Sequence, residues 1–470
     1  MGLGQNMTDY SAQLNNLDET LAPLYVDILT AGEVINISLC GREDTHDVSM
    51  EIYAPSDYTT PVFTQSLTEG NVACDDPMTA PLTNAVKYTT TEIGAYRLVL
   101  ENDDANELNR VDVSVTPDTN TDPDPTIAAG RLWAFEFSFR VRGVELEDST
   151  DADYFALLPG GSPDTNYIWK LDLNNFAGNG YDILANSIGV DAPYSGFSTP
   201  QTGNNVTHEF PLYLGVPAIA NPRPTNAPQV TNHSFLDDAG SDNGISPSAT
   251  NGVEDTGVFR FTSDVIGNYR INIDLNQDGI FGNIGDHSIS GRTVIGANEV
   301  VWDGEDASGA VPALGTYNAE ISVATGEFHF IAEDVETSGG DEPGLTIFAA
   351  DNAGTISDTL VYWDDITILG DSTGTATAPL GALSSSLEAR HTWGNFTADG
   401  FGNDRLIDTY VFGLESTVPT TVRITDNDTP PSTAPVATDD SATVAADTVC
   451  LLYTSPSPRD QRGSRMPSSA

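Results

Sequence analysis

Between residues 24 and 115, apolar and polar positions alternate in short runs, and Gly, Pro, Asn or Asp breaks each run. "LYVDIL", "VINISLC", "VSMEIYAP", "AVKYTTT", "AYRLVLEN" and "RVDVSVTP" follow one another in this way. A period of two sends alternate side chains to opposite faces of a strand, and frequent turn residues fold the strands back on one another. The segment 1–115 therefore predicts an antiparallel β-sandwich. The pattern lapses in "TPDTNTDPDPT" (116–126), where Pro and Asp favour an extended, solvated linker. It resumes over 127–229 with "RLWAFEFSFRVRG", "DYFALLP", "YIWKLDL" and "EFPLYLGV", and "NPRPTNAPQV" marks the next boundary. A further β-rich unit spans 230–370. The segment 371–428 holds two or three more strands, and 380–428 can complete the sheet begun near Arg131, which makes 230–370 an insertion. "DTPPSTAP" then opens a second linker within 429–449. The expected fold class is all-β, with several antiparallel β-sandwich modules in tandem.

One stretch of this pattern carries candidate chemistry. "DLNQDGIFGNIGD" follows the strand-like "YRINI" and places Asp274, Asn276 and Asp278 at alternate positions, with Gly279 next. A calcium loop needs hard oxygen ligands around one ion and a sharp turn that lets them converge. The spacing matches D-x-[DN]-x-[DN]-G, and Ile280 follows where a backbone carbonyl would be offered. The twelfth position is Gly285 rather than a bidentate glutamate, and Asp286 follows one residue later. Strand-like flanks exclude a helix–loop–helix arrangement. The expected metal site is Asp274, Asn276, Asp278, Ile280 and Asp286, with Ca2+ in a structural role. The competing reading is an Asx-rich turn whose side chains cap backbone amides.

Charge sharpens the expected partners. The 470 residues carry a formal net charge of -51, and lysine occurs only at Lys87 and Lys170. Such a field repels nucleic acid and anionic membrane and attracts cations. Two readings fit, multivalent calcium binding or a solvated surface suited to salty water. No stretch is long and apolar enough to insert in a membrane. "MGLGQNMTDYSAQLNN" lacks the basic start and apolar run of a secretory signal, so the expectation is a fragment whose true start lies upstream. Cys40 in "SLCGRED" and Cys74 in "NVACDDP" are candidates for a disulfide in an exported protein, or two separate thiols.

Several stretches resemble known families. The order "LYVDILTAGEVINISLCG…VSMEIYAPS…GAYRLVLEND" resembles the bacterial pre-peptidase C-terminal domain, a small secreted jelly-roll-like module. "GANEVVWDGEDASGAVPALGTYNAEISVATGEFHF" resembles the Ig-like domain of the flagellar hook-capping protein. There Trp302 would anchor a core, Asp303 and Gly304 would turn the chain, and Gly315-Thr316-Tyr317 would start a strand. "EFHFIAEDVETSGG" and "TLVYWDDITIL" would supply the strand-rich second half of that domain. "PVATDDSATVAADT" (435–448) is similar to the opening of a VCBS or cadherin-like repeat. "CLLYTSPSPRDQRGSRMPSSA" (450–470) back-translates to a transposase-type sequencing adapter and is set aside from fold reasoning. These resemblances imply Ig-like or jelly-roll-like sandwiches and an extracytoplasmic role without an active site.

Catalytic signatures are missing from the sequence. The six histidines form no H-E-x-x-H or close pair, and no G-x-S-x-G, S-x-x-K or P-loop pattern occurs. Asp237, Asp238 and Asp242, then Glu333, Asp334 and Glu336, then Asp364 and Asp365 form acidic groups that read first as solvated loops. Trp393, Phe396 and Phe401 make a candidate sugar platform, with strand-edge packing as the alternative. The sequence thus predicts a non-enzymatic, calcium-stabilised scaffold or adhesion fragment of a large bacterial surface protein. Its partner would be a cell-surface or matrix glycan or protein. Two rivals are an accessory region of a secreted hydrolase and carbohydrate binding by 127–225 with 380–428.

Overall fold

The computed structural model describes residues 23–40, 47–68, 85–102, 110–117, 126–140, 150–176, 180–190, 198–199, 206–240, 242–247, 254–282, 285–333, 335, 344–363, 365, 389–391 and 405–426. Among them there is no helix, and so none long and apolar enough to cross a membrane. The protein is all-β.

The first seven strands are β1 (Leu24–Ile28), β2 (Val34–Cys40), β3 (Asp47–Ala54), β4 (Asp57–Thr68), β5 (Ala85–Thr89), β6 (Gly94–Asn102) and β7 (Arg110–Thr116). They form the order β1-β6-β3-β4 in one sheet and β5-β2-β7 in another. Alternation builds the core between them: Val26, Ile28, Met50, Ile52 and Leu98 face Ile35, Ile37, Val113 and Val115.

Next come β8 (Leu132–Ala134), β9 (Glu136–Arg140), β10 (Thr150–Pro159), β11 (Asn166–Phe176), β12 (Gly180–Asn186) and β13 (Leu212–Tyr213). Then follow β14 (Val230–Asp237), β15 (Gly244–Ile245), β16 (Gly257–Ser263), β17 (Asn268–Ile273), β18 (His287–Arg292), β19 (Gly296–Trp302) and β20 (Gly315–Ala324). The chain continues through β21 (Glu327–Glu333), β22 (Gly344–Ala350), β23 (Ile356–Asp358), β24 (Arg390–His391), β25 (Leu406–Phe412) and β26 (Glu415–Ile424).

A second core lies between β22-β11-β10-β13 and β25-β21-β12-β9. On β10 the buried Tyr154, Ala156 and Leu158 alternate with more exposed neighbours, while on β11 Ile168 is buried along with Tyr167, Trp169 and Leu171. A third core lies between β14-β16-β19 and β15-β26-β20-β17-β18. Among the strand pairings described, only β15 with β26 is parallel.

The first two cores share one sheet. β8 pairs with β1 on one side and β13 on the other, so an eleven-stranded sheet runs from the first sandwich into the second. Arg131, just before β8, pins this joint. Its guanidinium meets buried Glu33 at 3.0 Å and donates to the Asp27 carbonyl at 2.9 Å. The Asp27 carboxylate accepts from Trp133 Nε1 at 2.9 Å and from the Tyr213 hydroxyl at 2.7 Å.

The second and third cores interleave, which differs from the predicted boundaries. Residues 230–370 do not form one unit: β21 pairs with β12 and β25, and β22 pairs with β11, all in the second sandwich. Conversely, β26 leaves the 371–428 segment and pairs with β20 in the third. Of "EFHFIAEDVETSGG", Glu327–Glu333 therefore belongs to the second sandwich, while Asp334 and Glu336 lie outside the described residues. The reason is physical: alternation tells which face of a strand is buried, not which strand it pairs with.

The expected anchor, turn and strand start match the structure, but the stretch is not the hairpin its sequence suggests: β19 pairs with β16, and β20 with β17 and β26 in the facing sheet. Trp302 is buried in the third core, with its Nε1 donating to the Glu305 carbonyl at 2.9 Å. Gly304 takes φ +79 in the following turn, and β20 begins at Gly315.

Candidate functional site

The loop between β17 and β18 carries the predicted metal residues. Asp274 is buried, and its two carboxylate oxygens accept the amides of Asp278 and Gly279, each at 3.1 Å. Its own amide donates to the Asn318 carbonyl at 3.0 Å, which fixes the loop to β20. Asn276 Oδ1 accepts the Asp278 amide at 2.9 Å, and Asn276 Nδ2 donates to Asp278 Oδ2 at 3.2 Å. Asp278 Oδ1 accepts the Ile280 amide at 2.7 Å. Gly279, at φ +80, supplies the left-handed turn.

The structure thus brings Asp274, Asn276 and Asp278 onto one turn. Asp286 serves the other limb, accepting the Gly282 amide at 2.9 Å, and the Ile280 side chain points to solvent. Among the described residues, no three His, Cys, Asp or Glu side chains gather as a metal centre. The side chains cap backbone amides, as the competing reading anticipates. A carboxylate offers about four lone-pair sites, so one or two amide bonds leave capacity for a hard cation. The donor chemistry of the turn fits calcium to that extent.

The other sequence candidates fall differently. Cys40 ends β2, while Cys74 lies outside the described residues. Trp393, Phe396, Phe401, 435–448 and 450–470 also lie outside them. Of the acidic groups read as solvated loops, Asp237 is buried and accepts the Asp242 amide at 3.1 Å. Asp365 is fully buried and meets His391 Nε2 at 2.9 Å. Those two carboxylates are structural rather than solvated.

A further charged constellation, containing Glu327, His329 and Asp408, is not among the sequence candidates. It lies where the second and third sandwiches meet. The β20–β26 ladder continues in the same register into the β21–β25 ladder, through Thr325 N to Leu414 O at 3.0 Å and Gly413 N to Gly326 O at 2.9 Å. The two outer sheet faces meet at this bend around an open depression with room for about one water molecule. Arg270 of β17, Glu415 of β26, Glu327 of β21 and Phe412 of β25 line it.

Behind this depression, the fully buried His329 ring is held between carboxylates. Its Nδ1 lies 2.8 Å from Asp408 Oδ1, and its Nε2 lies 3.0 Å from Glu327 Oε1. Burial alone would lower the imidazole pKa, but the attraction of Asp408, joined by hydrogen bonds to Asp408 and Glu327, outweighs it and pushes the value up to about 10. His329 also stacks on Tyr410 at 4.8 Å, and Tyr410 stacks on Tyr362 at 5.6 Å. Glu327 and His329 lie two apart on β21 and so share a face, but sequence spacing held no signal for Asp408, which comes from β25 and reaches them only by strand pairing.

Comparison with protein-family models and with curated proteins finds no match to either. The class of protein is therefore defined by the fold alone, an all-β chain whose mainly antiparallel sheets enclose three large apolar cores, with a smaller cluster at Leu184, Val190, Ile331 and Leu406, among the described residues.

Proposed function

We propose that this chain is a non-catalytic, extracellular scaffold or adhesion segment of a bacterial surface protein, stiffened by calcium at the Asp274–Asp286 loop. The observation that carries the reading is the way the sandwiches are joined. One sheet runs through the first joint, and a two-stranded ribbon in unbroken register runs through the second. A stretched or crowded surface protein gains from such joints, because separating its sandwiches requires breaking backbone ladders rather than swinging a linker. The acidic surface and the D-x-N-x-D-G turn support the calcium element, with affinity of about 10⁻⁴ to 10⁻³ M as in extracellular modules.

The test is calorimetry of the full chain in EDTA and in millimolar calcium, beside the Asp274→Ala/Asp278→Ala double variant. At a calcium level ~100 times the dissociation constant, linkage gives about 2.7 kcal/mol of stabilisation. The expected result is a calcium-dependent rise in Tm that the double variant abolishes, with the second and third sandwiches melting together. Independent melting of those two sandwiches, unaffected by calcium, would remove the proposal.

A further inference from the structure

We infer that β4 is a docking edge for a second copy of this chain, the two copies pairing β4 with β4, antiparallel, about a two-fold axis at Gln65. The contact depends neither on the calcium loop nor on the adhesive reading. Three observations carry the inference.

The first is an open ladder. β4 closes one end of the eleven-stranded sheet and pairs only with β3. In an antiparallel strand, alternate residues turn both N–H and C=O away from the neighbouring strand. Phe63–Thr68 match Asp47–Ile52 one for one, and their outward groups meet no partner strand among the described residues. The side chains suit an approach from that side: Thr64 and Ser66 are exposed, while Phe63 is half-buried against the first core.

The second is missing protection. Sheets ordinarily guard a free edge with charge, proline, a bulge or brevity. Among the described strands at sheet ends, β5, β7, β9, β14, β18, β19, β23 and β25 each hold at least one Asp, Glu, Lys or Arg, and β15 is two residues long. β4 is the longest strand described, at 12 residues, and Tyr58–Thr68 holds no charged side chain. That is a long neutral run in a chain with 69 acidic residues among 470. Pro61 and the register shift beside it guard the first part of β4 only.

The third is self-complementarity. Phe63-Thr64-Gln65-Ser66-Leu67 reads apolar, hydroxyl, amide, hydroxyl, apolar. With Gln65 opposite its own copy, Thr64 comes opposite Ser66 and Phe63 opposite Leu67, each pair formed twice. Hydroxyl pairs and apolar pairs both stabilise a ladder, and two facing amides donate to and accept from each other. A two-fold contact requires such a match of one patch with itself, which a strand fitted to an unrelated partner does not. The net charge of -51 opposes association. Screening decides the outcome locally. Glu51, opposite Thr64 on β3, lies one strand further in. The two Glu51 positions would be at least three strand spacings, ~14 Å, apart, beyond the ~8 Å Debye length of physiological salt.

The test is sedimentation equilibrium of the full chain from about 10 to about 500 µM, the range suited to a small, transient interface below ~1,200 Å². The expected result is a monomer–dimer equilibrium that tightens between about 0.15 and about 0.5 M NaCl, as screening removes the net repulsion. Gln65→Lys puts two ammonium groups face to face and should weaken the dimer at least about tenfold. Thr64→Glu/Ser66→Glu acts at exposed positions, so it serves if Gln65→Lys fails to fold, and it should weaken the dimer as much. Thr64→Lys/Ser66→Glu puts opposite charges face to face and should restore it. A monomer at every concentration, a dimer that both weakening variants leave unchanged, or a Lys/Glu pair no better than the Glu/Glu pair would each overturn the inference.

Discussion

His329 and Asp408 stand 79 positions apart in the chain and 2.8 Å apart in the fold, both fully buried. With carboxylates on both ring nitrogens, the imidazole is held as the cation. The unfolded value is near 6.5, and the folded value is raised to about 10. The stability this pair contributes is therefore fully present below about pH 6.5 and is lost as pH rises through about 10. Denaturant titrations between those limits should show stability falling with pH, and His329→Gln should flatten that slope. Asp408→Ala leaves a buried cation beside Glu327 alone and should cost about 3–5 kcal/mol by the same measurement. His391 lies between the Thr409 hydroxyl at 2.6 Å and Asp365 at 2.9 Å, on the other face of β25. His329 ties β21 to β25 through Asp408, and His391 ties β24 to the opposite face of β25 through Thr409.

Among the elements, the ribbon of β20–β21 and β25–β26 carries the most. Its bend has room for nothing larger than glycine at Gly413, where an added Cβ would lie 2.2 Å from Thr325 Oγ1 and 2.9 Å from Tyr167 Cε2. Tyr167 explains the tightness. Its hydroxyl lies 2.6 Å from Thr325 Oγ1 and accepts the Leu414 amide at 2.8 Å, so one side chain of β11 clamps both strands at the bend. Arg223 packs over the rings of Tyr167 and Trp169 at 4.7 and 4.5 Å and braces the clamp from outside. Gly413→Ala should therefore destabilise the protein by about 1–3 kcal/mol, as overpacking does, read as a lower denaturation midpoint at unchanged slope.

At the scale of the molecule, the joints set the behaviour. The first depends on Arg131, whose ion pair with Glu33 is buried on both sides. Removing one partner of a buried pair costs about 3–5 kcal/mol, because the other charge stays behind. Arg131→Ala should therefore release the first sandwich, giving calorimetry a separate, lower transition for residues 24–116 while the interleaved pair keeps its own. The second joint has no single key residue of this kind. It is a paired ladder, so loosening it requires opening backbone hydrogen bonds along the ribbon.

Much of this protein was legible in its sequence, because strand alternation and turn chemistry are local. The runs "LYVDIL", "VINISLC" and "YIWKLDL" give strands where expected, although Asp27, Asn36 and Ile168 on their other face are buried as well, and Trp302, Gly304 and Gly315 mark anchor, turn and strand start. The Asp274–Gly279 turn was readable for the same reason, since its ligands or caps are six consecutive residues. Tertiary structure alone decided which strand lies beside which. It moved β21 and β22 out of the Ig-like stretch, sent β26 back into it, and joined His329 to Asp408 and Arg270 to Phe412. A period of two specifies a face but no partner. Partners are chosen by backbone ladders and core fit between segments far apart in the chain, and the buried charges and the depression arise only where those segments meet.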